Sequence, residues 1–200
     1  MTRMWKHTLA GGGLAGAMLL ATAPAHAAVS EETAFIFNSF AFLVHGAFVM
    51  FMAAGFAMLE SGMVRSKNTA AICLKNVALY STAGLLYYLI GYSLMYVDVG
   101  SVIGTIGLYN PAGAELDLIN GDSSEATLNA VTGAGYSSMS DWFFQMVFVA
   151  TAASIVSGTV AERIKVWPFL IFVVVLTGIL YPIQGSWTWG GGWLTEMGFS

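Results

Sequence analysis

The long apolar runs of this chain are joined by links that alternate between basic and acidic. Arg65 and Lys67 lie in one short link, and Arg163 and Lys165 lie in another. The stretch between those links that covers residues 97–140 contains acidic residues and no Lys or Arg. Basic residues in short loops stay on the cytoplasmic side of a membrane. The pattern therefore predicts a polytopic membrane protein whose basic links lie inside the cell.

The composition excludes an ordinary water-facing surface. Hydrophobic residues make up 57% of the chain and charged residues only 9%, whereas a soluble domain carries about 25% charged residues. Such a chain is expected to have the lipid bilayer as its surroundings. No basic patch is present, so nucleic-acid binding is not expected.

The first apolar run has the features of a secretory signal peptide. Arg3 and Lys6 precede a short apolar core over residues 9–23, and an A-x-A cleavage pattern follows at residues 25–27. We therefore predict a cleaved signal peptide over residues 1–27. The mature N-terminus is then expected outside, in a multi-pass protein of the cell (inner) membrane.

The remaining part, residues 28–200, contains four more apolar runs, and a bilayer crossing takes about 20 residues. We predict an all-α membrane protein with helices at about 34–59, 70–96, 142–160 and 168–184. Lys75 lies close enough to a helix end to snorkel toward the cytoplasmic face. Four tyrosines near the other end of that helix are typical of an interfacial aromatic belt, namely Tyr87, Tyr88, Tyr92 and Tyr96.

The acidic stretch before the third of these helices permits either a lid or a short helix, and the sequence does not decide between them. Its acidic residues, Glu115 among them, are interpreted as loop acids outside the membrane. Ser138 or Ser140 is predicted to cap the following helix. Asp141 suits the positive end of that helix's dipole.

Aromatic residues near the outer helix ends are the main candidates for a binding site. Phe144, Gln145 and Phe148 have spacings that place them on one helical face, and Trp189 lies just beyond the outer end of the last helix. If these ends are adjacent, three rings and one amide line a single vestibule. Ring faces attract small cations, and a ring across a pore forms a hydrophobic constriction. The alternative is that the rings pack against neighbouring helices or face lipid.

The ionisable residues within the apolar runs favour structural roles. Glu60 is interpreted as an interfacial carboxylate balanced by Arg65 and Lys67, rather than as a proton or cation site. His45 is interpreted as a packing histidine, although an intramembrane histidine is also a candidate site. The sequence has no metal-ligand cluster, nucleophile triad or acid/base pair. We therefore predict no catalytic residue, no metal, no cofactor and no enzymatic activity.

Four segments, in order, resemble the ammonium transporter (Amt/Mep/Rh) family, and most closely the N-terminal part of its bacterial and plant branch. They fall at the corresponding points of the predicted topology: the segment at 55–68, Gly91-Tyr92-Ser93-Leu94, the segment at 144–164, and Trp189-Gly190-Gly191-Gly192. The resemblance covers nearly all of the chain after the signal peptide.

The resemblance implies an eleven-helix bundle with an inverted repeat, assembled as a homotrimer with one channel per subunit. Phe148 matches the first of two gate phenylalanines, Trp189 and Phe144 match the outer ammonium site, and Gln145 matches a neighbouring vestibule amide. The implied activity is capture of ammonium by the rings, deprotonation, and passage of ammonia through an apolar pore. A PII-type regulatory protein is an implied partner.

The family's Asp-(aromatic)-Ala-Gly segment, both pore histidines and the second gate phenylalanine are expected downstream of Ser200. Three interpretations therefore remain open. The residues are the N-terminal part of a longer transporter, part of a membrane-embedded ammonium sensor coupled to a cytoplasmic signalling domain, or a truncated fragment that does not conduct.

Overall fold

The computed structural model describes residues 29–198, and all regular secondary structure in that range is helical. The predicted signal peptide, residues 1–27, lies outside the described residues. We label the helices α1 Glu31–Met63, α2 Thr69–Leu86, α3 Tyr92–Tyr96, α4 Gly113–Ile119, α5 Glu125–Gly133, α6 Ser138–Thr159, α7 Val166–Val175, α8 Tyr181–Thr188 and α9 Trp193–Glu196. A 3₁₀ turn, Ser66–Asn68, precedes α2.

Within residues 29–198, four helical segments are long and apolar enough to cross a membrane, which confirms the predicted all-α, four-helix architecture. They are Glu31–Met63, Ser66–Tyr96, Glu125–Thr159 and Val166–Glu196. The first helix begins earlier than predicted, at Glu31, because Glu31 and Glu32 favour the positive end of the helix dipole.

The second and fourth segments each contain one π-helical turn, at Tyr87–Gly91 and Leu176–Leu180. The two turns pack against each other. A π turn locally changes the direction in which side chains point. Neither segment is a regular α-helix throughout, and the two segments contact each other both at the π turns and in the helices on either side.

The bundle has two chemically different ends. The basic end carries Arg65, Lys67, Arg163 and Lys165, and the acidic end carries residues 97–137. Two short helices, α4 and α5, occupy the acidic-end segment and pack against each other. The choice between a lid and a short helix is thus resolved in favour of helices.

The start of α6 corrects two sequence predictions. Ser137, rather than Ser138 or Ser140, is the N-cap, and its hydroxyl accepts a hydrogen bond from the Met139 amide. Ser138 instead donates from its amide and its hydroxyl to Glu115, at 2.8 and 2.5 Å. Glu115 is therefore a buried helix-docking residue, not a loop acid, because these donors compensate its desolvation.

Helix α6 lies at the centre of the bundle and packs against α1 and α2. Ala150 and Ser154 on α6 are almost fully buried, as expected for small residues that allow helices to approach closely. Gly46 on α1 faces α6, and a Cβ there would lie 2.7 Å from the Phe143 ring. A glycine at position 46 therefore permits the α1–α6 contact.

The tyrosines near the end of the second segment do not all form an interfacial belt. Tyr87 is fully buried and Tyr92 nearly so, and both belong to a core that includes Met95 and Val147. The belt prediction is wrong for these two residues because they contact other helices inside the bundle. Tyr88, in contrast, is 44% exposed.

Candidate functional site

Two of the predicted site residues form an aromatic pair near the acidic end of α6. The Phe144 and Phe148 ring centroids are 5.0 Å apart at an interplanar angle of 72°. Their spacing of four residues places them one above the other on the same helical face. Phe42 of α1 lies 5.1 Å from Phe144, so the pair is fixed against the first helix.

A cavity of about 340 Å³ opens beside this pair, and we call it the aromatic cavity. Its lining residues are Asn38, Ala41, Phe42, His45, Tyr136 and Phe144. His45 is exposed and its Nδ1 lies 2.7 Å from the Ala41 carbonyl oxygen. The interpretation of His45 as a packing histidine is therefore wrong. Its ring borders an open cavity instead of filling the core.

Gln145 lies apart from the rings. Its side chain is buried, and its amide donates to Asp141 at 3.5 Å. Asp141 also accepts a hydrogen bond from the Tyr92 hydroxyl at 3.2 Å. Successive residues on a helix differ in direction by about 100°, so Gln145 does not point toward Phe42 as Phe144 does.

Trp189 follows α8 at the acidic end and is 54% exposed. Within residues 29–198, no ring contact joins it to Phe144 or Phe148. The backbone around it is fixed: Ser186 and Trp187 both donate to the Val102 carbonyl at 2.9 Å. A Cβ on Gly190 would collide with the Met95 carbonyl oxygen. The structure thus brings the two phenylalanines together, with Trp189 separate from them at the same end of the bundle.

A buried ion pair near the basic end was missed by the sequence interpretation. Lys75 Nζ lies 3.2 Å from Glu60 Oε2, and their side chains are only 4% and 2% exposed. Asn76 and Ser157 also donate to Glu60 Oε2, at 3.2 and 2.8 Å. Glu60 Oε1 is buried without a hydrogen-bond partner in the described part of the chain.

Lys75 connects all four membrane-crossing segments. It pairs with Glu60 of α1, donates to the Ser157 carbonyl of α6 at 2.9 Å, and lies 5.0 Å from the Phe169 ring centroid of α7. The snorkelling prediction is therefore wrong, as is the prediction that Arg65 and Lys67 balance Glu60. Glu60 and Lys75 each lie about two turns or less from the basic link that joins their two antiparallel helices. That shared distance is the sequence signal that favours their pairing.

Glu162 orders the two basic links. Its Oε1 accepts from the Arg65 amide at 2.9 Å, from Arg65 Nε at 3.2 Å and from Asn68 at 2.6 Å. The Asn68 and Arg65 hydrogen bonds hold the pKa of Glu162 below its usual value. Its φ of 61° is in the left-handed region, which is costly for a residue other than glycine. These bonds offset that cost.

A second cavity, of about 650 Å³, lies at the basic end. Its lining includes Arg65 and Arg163 together with Glu60 and Glu162. Within residues 29–198, no group of three or more His, Cys, Asp or Glu side chains is arranged to hold a metal ion.

The family model described as Ammonium Transporter Family matches residues 40–200. The chain belongs to this family. It is 42% identical over 168 residues to a Synechocystis protein named as an ammonium transporter, covering 84% of this chain and 35% of that one. It is 39% identical to ammonium transporter Amt2 of Archaeoglobus fulgidus, covering 78% of this chain and 30% of the relative. This ammonium transporter family chain thus spans about a third of the length of these relatives.

Solved structures agree with the observed fold. A protein named Sensor Amt Protein aligns with a TM-score of 0.64 at 30% identity, over 80% of this chain and 37% of that one. Saccharomyces cerevisiae Mep2 aligns with a TM-score of 0.64 at 23% identity, over 84% of this chain and 36% of that one, which shows the shared fold. The resemblance drawn from the four sequence segments is therefore confirmed at the level of family and fold.

Proposed function

We propose that the chain is the N-terminal part of a protein that transports ammonium or ammonia across the cell (inner) membrane. The acidic end and the mature N-terminus face outside, and the basic end faces the cytoplasm, because basic residues in short loops remain inside. Family membership and the named relatives support this function. The complete protein is a homotrimer with one channel in each subunit.

The paired rings of Phe144 and Phe148, beside an open cavity at the acidic end, carry this proposal. Ring faces attract a small cation, and Trp189 at the same end adds a further ring. An ion at the bilayer centre is costly, and desolvation favours the neutral form of an amine. Ammonium is therefore captured by the rings and deprotonated near the Phe148 gate. Ammonia continues through an apolar lumen while the proton crosses separately.

The test is ammonium-dependent current from the full-length protein in proteoliposomes. Wild-type protein is expected to give a saturable current. Trp189→Ala is expected to raise the half-saturating ammonium concentration about fivefold, because a cation–ring contact is worth about 1 kcal/mol. Absence of current from folded wild-type protein overturns the transport proposal. An unchanged half-saturation in Trp189→Ala removes the tryptophan from the capture site.

The regulatory partner proposed for the complete protein is a cytoplasmic PII-type protein, which would meet the basic end. Pull-down of purified PII-type protein by the full-length transporter in detergent tests this pairing. We expect the wild-type transporter to retain the PII-type protein, and a variant with Arg163 and Lys165 neutralised to lose it. Retention that these substitutions leave unchanged argues against docking at the basic links.

A second candidate function is ammonium sensing, which the similarity to the Sensor Amt Protein favours. A sensor keeps the ammonium site but passes the signal to a cytoplasmic domain. The coding sequence downstream of residue 200 distinguishes the two functions. A signalling domain whose activity changes with ammonium, in a protein that gives no current, supports sensing. A current without such a domain supports transport.

A further inference from the structure

Two polar residues in the aromatic cavity have already committed their donor nitrogens to backbone carbonyls. Asn38 Nδ2 donates to the Gly135 carbonyl at 2.9 Å. This bond fixes the amide orientation and leaves Oδ1, which is purely an acceptor, for another partner. Asn38 lines the cavity, so it supplies a hydrogen-bond acceptor there.

His45 is fixed in the same way. Its Nδ1 lies 2.7 Å from the Ala41 carbonyl oxygen. A carbonyl oxygen only accepts, so Nδ1 carries the proton in this contact. A neutral imidazole has one donor and one acceptor nitrogen, which makes Nε2 the acceptor. His45 thus offers a lone pair beside the Phe42 and Phe144 rings, which line the same cavity.

The rest of the cavity wall complements these acceptors. Asn38 and His45 are seven residues apart, or about two helical turns, and therefore share one face of α1. The remaining lining side chains are three aromatic rings and one alanine, with no Lys, Arg, Asp or Glu in the described lining. Ring faces and neutral acceptors together suit a small cation that donates N–H hydrogen bonds.

We propose that Asn38 and His45 are specificity-determining residues that select ammonium over alkali cations during capture. This inference rests on the proposed transport function. A ring face attracts ammonium and potassium alike. Hard cations prefer oxygen ligands, so an imidazole nitrogen is a poor ligand for potassium. Ammonium, in contrast, donates N–H bonds, which either acceptor on this face, His45 Nε2 or Asn38 Oδ1, can receive.

Two substitutions of His45 separate its acceptor from its structural hydrogen bond. His45→Asn retains a donor close to the position of Nδ1 but has no atom at the position of Nε2. His45→Gln reaches farther and presents an acceptor oxygen near the position of Nε2. Both variants are measured in the full-length protein, in proteoliposomes, for ammonium half-saturation and for inhibition of the current by potassium.

His45→Asn is expected to raise the half-saturating concentration about tenfold, since a hydrogen bond from a charged donor is worth about 1.5 kcal/mol or more. It is also expected to make potassium a stronger inhibitor. His45→Gln should stay within about threefold of wild type, because it retains an acceptor. Leu43→Ala, an exposed neighbour on α1 that does not line the cavity, serves as the control and should match wild type.

The outcomes separate this inference from the transport proposal. Lack of current from folded wild-type protein overturns transport itself. A conducting wild type with equal half-saturation and potassium inhibition in all His45 variants overturns the selectivity role. Equal impairment of His45→Asn and His45→Gln shows that the ring has a packing role only, which also overturns it.

Discussion

The two ends of this bundle place polar side chains in opposite settings. At the basic end, Glu60 and Lys75 are buried, and their charges are paired with each other. At the acidic end, Asn38 and His45 are exposed, and each bonds a backbone carbonyl through one nitrogen. Asn38 Oδ1 and, in the neutral imidazole, His45 Nε2 are acceptors for a further partner. Paired buried charges hold helices together, whereas accessible acceptors beside rings suit a ligand. We therefore assign stability to the first region and recognition to the second.

The largest expected effect comes from removing one partner of the buried ion pair. Lys75→Met leaves the Glu60 carboxylate buried without its cation, which costs about 3–5 kcal/mol. Thermal unfolding of the full-length protein in detergent should show a large loss of stability. The double variant Glu60→Gln, Lys75→Met should recover most of it. A single variant as stable as wild type contradicts the structural role.

A smaller loss is expected from Ser157→Ala. Its hydroxyl donates to Glu60 Oε2 at 2.8 Å, and a hydrogen bond to a charged group contributes about 1.5–3 kcal/mol. Denaturant unfolding measures the change. Ser81→Ala is the matched control, because its exposed hydroxyl donates only to its own helix at Val77. Equal stability of the two variants argues against a special role for the network.

At the acidic end, Phe144→Leu should change recognition as well as stability. The substitution removes ring contacts with Phe42 and Phe148, which are worth about 0.5–1.5 kcal/mol each. The half-saturating ammonium concentration should rise about threefold as one cation-attracting ring is lost. Current measurements and thermal unfolding on the same preparation check both parts. A large fall in stability with no change in half-saturation contradicts our assignment of recognition to the acidic end.

The smallest effect is expected from the loop at the basic end. The pKa of Glu162 is lowered in the folded protein, so the stability it contributes is present above the ordinary glutamate pKa. That contribution is lost as the pH falls through the lowered pKa. Glu162→Gln should therefore reduce the decline in melting temperature below about pH 4.5. If the melting temperatures of wild type and variant fall equally across that pH range, protonation of Glu162 does not contribute to the loss of stability.

The sequence was sufficient for the four membrane-crossing helices, because hydropathy and length report directly on bilayer crossing. It also predicted that Phe144 and Phe148 share a face, since a spacing of four residues guarantees this within one helix. Contacts within a helix follow from its periodicity alone. The prediction that Gln145 shares this face was wrong, because Gln145 is one residue from Phe144 and therefore lies about 100° away around the helix.

Contacts between helices were harder to predict. The Glu60–Lys75 pair depends on how far α1 and α2 slide past each other, and hydropathy does not report that offset. The Ser138–Glu115 bonds similarly depend on how α4 docks against α6. Each missed feature is a polar contact whose partner is chosen by tertiary packing.

The division between the two ends is tested most directly by measuring stability and ammonium half-saturation together in Ser157→Ala and Trp189→Ala. Both variants are made in the full-length protein and compared with wild type in one set of proteoliposomes and melting curves. We expect Ser157→Ala to lower the melting temperature with unchanged half-saturation, and Trp189→Ala to raise half-saturation with an unchanged melting temperature. If both properties change together in each variant, the separation of stability from recognition is wrong.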